Sequence, residues 1–140
     1  MDLSFHYLIM AEQSLFHKEL LSKLKDLGLT IGQPKILDYL QTCDGAEQKD
    51  IARGCHIEPG TLTTLLNRME TGGLVERRML NGNRRSLYVF MTEKGKERAK
   101  AVTEAFRELE EKAFHGLSDD ERTQFLDTFI KIYQNTTRKE

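Results

Sequence analysis

Residues 47–78 read EQKDIARGCHIEPGTLTTLLNRMETGGLVERR, and the fold turns on how that stretch is divided. Ile51 and Ala52 mark a short helix, and Pro59 opens a longer one in which Leu62, Leu65, Leu66 and Met69 recur at spacings of three and four. Such spacing gathers the apolar side chains on one face of an α-helix, and a proline in a first turn sacrifices no hydrogen bond. Between the two helices a tight turn is expected over residues 55–58, with His56 tolerating positive φ. Gly72-Gly73 stops the second helix. Its outer face displays Gly60, Thr61, Thr63, Thr64 and Asn67, small or hydrogen-bonding residues that can come close to a base edge. The expectation is helix, short turn, helix.

Downstream, residues 74–80 and 86–91 read as two strands, the second alternating Leu87, Val89 and Met91 with Ser86, Tyr88 and Phe90 at the period of a half-buried strand. The intervening NGNRR, residues 81–85, is then a hairpin tip. Asn and Gly supply the backbone freedom a turn needs. Nothing in turn geometry needs Arg84 and Arg85. Thr92 caps a long helix whose Ala99, Val102, Phe106, Leu109 and Ala113 keep spacings of three and four. Ser118 with Glu121 makes a capping box for a last helix with a wide apolar face of Phe125, Leu126, Phe129, Ile130, Ile132 and Tyr133.

Upstream, Leu8, Ala11, Leu15, Phe16, Leu20, Leu24 and Leu27 predict an amphipathic helix over residues 3–27, closed by Gly28. Thr30 with Gln33 predicts a second capping box, opening a helix to about residue 42 with Ile36, Leu37 and Leu40 inward.

The chain of 140 residues has a formal net charge of −1, but the charge is uneven. Between residues 49 and 100 stand 11 Lys and Arg against 6 Asp and Glu, which leaves the remainder net acidic. A basic middle between acidic ends suits a polyanion partner at the middle. The two cysteines, Cys43 and Cys55, fit no disulfide framework or metal-ligand spacing, which favours a reducing, cytoplasmic setting. No apolar run of spanning length and no leader follows Met1, so neither membrane nor targeting segment is expected. There is no Gly-rich phosphate loop, nucleophile elbow or ligand-spaced His/Cys/carboxylate cluster, so no enzyme, cofactor or metal is expected.

A helix-turn-helix followed at once by a basic-tipped hairpin is the winged-helix layout. In that layout the second helix enters a DNA major groove and the hairpin reaches phosphates or the neighbouring minor groove. The sequence also resembles the MarR (multiple antibiotic resistance regulator) family of winged helix-turn-helix transcriptional regulators. The likeness is carried by LTIGQPKILDYL, by residues 48–78, by the LxxLxxGLVER-like run from Leu66 to Arg77, and by NGNRRSLYVFMTEKG. It departs from the family at Asn83, where an acidic residue usually precedes the wing arginines, and at His56 and Glu58 in the turn.

The resemblance implies a mainly α fold with a small β-hairpin, in which a winged lobe joins outer helices that form a dimerisation region. One domain, 1–140, would divide into dimerisation helices over 1–29 and 116–140, a winged helix-turn-helix over 30–92 and a connecting helix over 93–115. It implies a homodimer bound to double-stranded DNA at a near-palindromic operator, acting as a repressor and released by a small aromatic or phenolic ligand. The DNA-binding residues would be Pro59, Gly60, Thr61, Thr63, Thr64, Asn67, Arg68, Arg84 and Arg85. Phe16, His17 and Tyr39 are the effector-pocket candidates, dimer core being the competing reading for such aromatic residues. The alternatives are a redox sensor using Cys43 or Cys55 and a winged helix that binds RNA or protein. The small-residue face favours duplex DNA, because A-form RNA has no readable major groove.

Overall fold

The computed structural model describes residues 3–80, 82 and 85–138. In chain order the elements are α1 (Phe5–Leu24), a short 3₁₀ turn (Lys25–Leu27), α2 (Gln33–Cys43), β1 (Ala46–Glu47), α3 (Gln48–Cys55) and α4 (Pro59–Thr71). Then come β2 (Val75–Arg78), β3 (Tyr88–Met91), α5 (Glu93–Ala113) and α6 (Asp119–Thr137). The three strands form an antiparallel sheet in the order β1-β3-β2. The chain divides after Arg107 into two compact units, and α5 belongs to both.

The first unit is built around the helix-turn-helix. Ile36, Leu37 and Leu40 of α2, Ile51 of α3 and Leu62, Leu66 and Met69 of α4 are fully buried, with Val75, Val89, Ala99 and Val102. These are the inward faces that the three-and-four spacing predicts, plus one inward residue from each hairpin strand. The register pairs Val75 with Met91 and Arg77 with Val89. Arg78, paired with Tyr88, lies diagonal to Phe90 and stacks its guanidinium 4.3 Å from that ring's centre.

Several helix ends fall where the sequence puts them. Gly28 is left-handed, φ 72°, and its N–H caps Lys25 O. Ser118 and Glu121 make both bonds of the capping box, and the Thr92 hydroxyl accepts from the Gly95 N–H. Thr92 also donates to Gly73 O at 2.6 Å, while Lys94 Nζ reaches Gly72 O at 3.0 Å. The end of α4 is thus tied to the start of α5.

Three expectations are corrected. At residues 30–33 only half of the capping box forms: Gln33 Oε1 accepts from the Thr30 N–H, but Gly32, with φ 89°, is the cap of α2. The strands are shorter than 74–80 and 86–91, and a third, β1, joins them through Ala46 and Glu47. On α1 Leu20 and Leu24 are buried while Leu8 and Leu15 are exposed, as expected of a helix with more apolar surface than one lobe covers. Ala113 is exposed as well.

In the second unit, Phe114 meets Phe125 edge-on and Phe125 stacks on Phe129, with centroids 6.0 and 5.5 Å apart. Arg122 lies over Phe114 and 3.7 Å from Glu110. No residue of α6 is buried.

Candidate nucleic-acid interface

The turn between α3 and α4 is set by His56, the one non-glycine residue at positive φ among those described, at φ 54°. Its N–H returns to Arg53 O, and the Ile57 N–H to Ala52 O at 2.9 Å, which closes α3 and redirects the chain. Glu58 caps α4 through its backbone alone, with no side-chain bond, and Pro59 occupies the first turn. Leu62, Leu65, Leu66 and Met69 anchor the inner face of α4. Pro59, Gly60, Thr61, Thr63, Thr64, Asn67 and Arg68 are all exposed on the outside. All seven helix candidates are therefore accessible on α4.

That surface is braced by bonds the sequence does not announce. Thr63 donates its hydroxyl to Pro59 O at 3.0 Å and accepts from Gln48 Nε2 at 2.8 Å, linking the two helices of the motif. Thr64 donates to Gly60 O at 3.3 Å. At the far end Arg77, from β2, reaches Asn67 Oδ1 at 2.7 Å and grips Glu70 through Nε at 3.3 Å and Nη2 at 3.1 Å. The wing is thereby fastened to the C-terminal half of the recognition helix.

The Arg77 hydrogen bonds hold the Glu70 carboxyl below the usual carboxylate range. A carboxylate lowered in the folded state stabilises the fold fully above its unfolded pKa, and the gain is lost as pH falls through the folded value. The stability difference between the wild type and Glu70→Gln should therefore be largest near neutrality and shrink on acidification below the carboxylate range. Urea melts across a pH series would check it, and a difference constant with pH would contradict it.

Arg85 and Thr63 line one open cleft of about 490 Å³ together with Gln48, Lys49, Arg53 and Pro59. Its cations come from α3 and the wing. Arg84, with Asn81 and Asn83, lies outside the described residues. A second, larger cavity of about 1100 Å³ is lined by Phe16, His17 and Leu20 of α1, Phe106 of α5, and Thr61, Thr64 and Arg68 of α4. Phe16 stacks on Phe106 with centroids 5.9 Å apart. Tyr39, expected beside Phe16 and His17, is absent from this lining. It packs against Gly54 between α2 and α3, where an added Cβ would collide with its ring, and burial raises its phenol pKa.

Cys55 is buried, and burial pushes its thiol pKa up. Cys43 is exposed at the end of α2. Among the described residues no group of three or more His, Cys, Asp or Glu is placed to hold a metal, and no helix is long and apolar enough to cross a membrane.

Comparison with known proteins agrees with this geometry. Residues 29–87, which hold the helix-turn-helix and most of the wing, match the MarR family. The uncharacterised HTH-type transcriptional regulator YwhA of Bacillus subtilis is 31% identical over 86 residues, spanning 61% of this chain and 62% of that protein. The HTH-type transcriptional repressor Rv2887 of Mycobacterium tuberculosis is 25% identical over 124 residues, 89% of each chain. Among solved structures, MepR of S. aureus in complex with DNA superposes with a TM-score of 0.88 and 25% identity, covering 97% of this chain and all of that one. Residues 29–87 thus carry a MarR-family winged helix-turn-helix, and the chain is similar to the transcriptional regulators of that family along most of its length.

Proposed function

We propose that the protein is a sequence-specific, duplex-DNA-binding transcriptional regulator that acts as a homodimer on a near-palindromic operator and represses transcription. The observation that carries this is the shared cleft. It sets Thr63 and Pro59 of α4 beside the cations Lys49, Arg53 and Arg85, so that base reading and phosphate neutralisation occur side by side. The MepR complex with DNA and the repressor name of the mycobacterial relative support the same reading.

The apolar side chains left exposed on α1, among them Phe5, Leu8 and Leu15, and those of α6 supply the material for a dimer interface. The larger cavity suits a small aromatic or phenolic effector, because Phe16 and Phe106 offer ring faces and the recognition helix forms one wall. A ligand there acts on the helix that reads DNA.

Anisotropy titration of duplex DNA against duplex RNA, from about 50 to 200 mM salt, tests the proposal. DNA is expected to bind far more tightly. Each phosphate neutralised contributes about 0.9 to the slope of log affinity against log salt. Arg84→Ala in both protomers should thus make the slope shallower by roughly 1.8, with good and poor sites weakened alike. Arg85→Ala should weaken A·T-flanked sites more, since an arginine beside the cleft can enter a narrow minor groove. Equal affinity for RNA, or slopes unchanged in both variants, would refute the assignment.

A further inference from the structure

Asn67 stands on the exposed face of α4, and its Oδ1 takes a 2.7 Å bond from the Arg77 guanidinium. Arginine carries only N–H donors, so the amide atom turned toward it must be the oxygen. Arg77 is held in turn. Its side chain is 15% exposed, and its Nε, Nη2 and backbone N–H all bond to the Glu70 carboxylate. A solitary surface asparagine could present either end of its amide, whereas reversing this one would aim N–H at N–H and break a charge-assisted bond. Its Nδ2, with two hydrogens, makes no bond among the described residues. The neighbouring Thr63 and Thr64 hydroxyls donate back to Pro59 O and Gly60 O, so outward they present an acceptor lone pair and a methyl group.

Resting on the DNA-binding reading above, we propose that Asn67 is a specificity-determining residue that reads the major groove through its two N–H donors. Arg77 is the positioning residue that keeps it so. The usual bidentate pairing of asparagine with adenine needs the amide oxygen to accept from N6 while the nitrogen donates to N7. With Oδ1 turned to Arg77 and one of its two lone pairs taken, Asn67 leads with its N–H groups and selects bases that show acceptors, guanine through N7 and O6 or thymine through O4. The threonines beside it select the complementary features, an amino group of cytosine or adenine or the thymine methyl.

The test is selection of bound sequences from a randomised duplex library with the full chain at fixed salt, run on the wild type and on Asn67→Ala, Asn67→Asp and Arg77→Lys. The wild type is expected to require guanine or thymine at one position in each half-site. Asn67→Ala should lose that preference alone, with binding to the selected site weakened about tenfold. Asn67→Asp, with one oxygen on Arg77 and the other outward, should move the preference to cytosine or adenine. Arg77→Lys keeps the charge without the fork and should relax the same position, with a thermal melt of each variant reporting any loss of fold.

Selected sequences unchanged by Asn67→Ala, or unchanged by a folded Arg77→Lys, overturn the proposal. So does a wild-type preference for adenine that is lost when a purine without the 6-amino group replaces it, since both amide atoms would then read the base. If the wild type enriches no sequence at all, the DNA-binding reading falls, and this inference with it.

Discussion

Gly95→Ala is expected to lower the unfolding free energy by about 3 kcal/mol, at the upper end of what overpacking costs. A Cβ at Gly95 would overlap the Leu74 carbonyl oxygen, come to 3.0 Å from its carbon and lie 3.4 Å from Met91 Cβ. That carbonyl is fixed, because it accepts from the Thr92 N–H at 3.0 Å and from the Thr92 hydroxyl at 3.2 Å. Relief would therefore have to break the junction between β2 and the start of α5. The gain in helix propensity from glycine to alanine, about 1 kcal/mol, is too small to offset it. Gly60, also helical, has nothing within 4 Å of its would-be Cβ, so Gly60→Ala should be neutral or slightly stabilising. Urea midpoints at constant slope would compare the two, and equal stability of both variants would contradict the account.

The second large effect concerns the outer helices. Phe125, Leu126, Phe129, Ile130 and Tyr133 are each between 38% and 52% exposed, on a helix with no buried residue. If α6 is covered by a second copy, Ile130→Glu places a carboxylate in the interface from both sides of its two-fold axis and should leave a monomer. DNA affinity should then fall by a hundredfold or more, although no DNA-facing residue is changed. One lobe alone loses the effective concentration that tethers its partner at the second half-site, a factor of about 10² to 10⁴. Light scattering at micromolar concentration with a parallel DNA titration would decide it. A wild-type monomer, or a monomeric variant that keeps wild-type affinity, would contradict the dimer.

What the sequence makes legible is whatever depends on neighbours a few residues away. Pro59, Gly72-Gly73, Thr92 and the pair Ser118 and Glu121 mark helix ends because capping is local chemistry, and the inward leucines of α4 follow from helical period alone. The strand β1 is hidden because two residues cannot display an alternation. It pairs with β3, flanked by bonds from the Gly45 N–H to Val89 O and the Gln48 N–H to Leu87 O, each at 2.8 Å and some 40 positions along the chain. The candidate site divides in the same way. The exposed residues of α4 can be listed from a helical wheel, but the bonds from Gln48 to Thr63 and from Arg77 to Asn67 join separate elements. Tyr39 is an aromatic candidate by sequence, but tertiary packing places it against Gly54, a contact no local pattern encodes.

Those same two bonds from Gly45 and Gln48 fasten β3 to the residues immediately before and at the start of α3. Leu87 and Val89, at the base of the wing, are therefore placed relative to the recognition motif before any DNA arrives. Fixing one residue's backbone costs roughly 1–2 kcal/mol of conformational entropy, and folding has already met that cost for the hairpin base. Association is thus relieved of it, as in any preorganised binder. Weakening this small strand should then slow productive docking more than it disturbs the contacts of the finished complex.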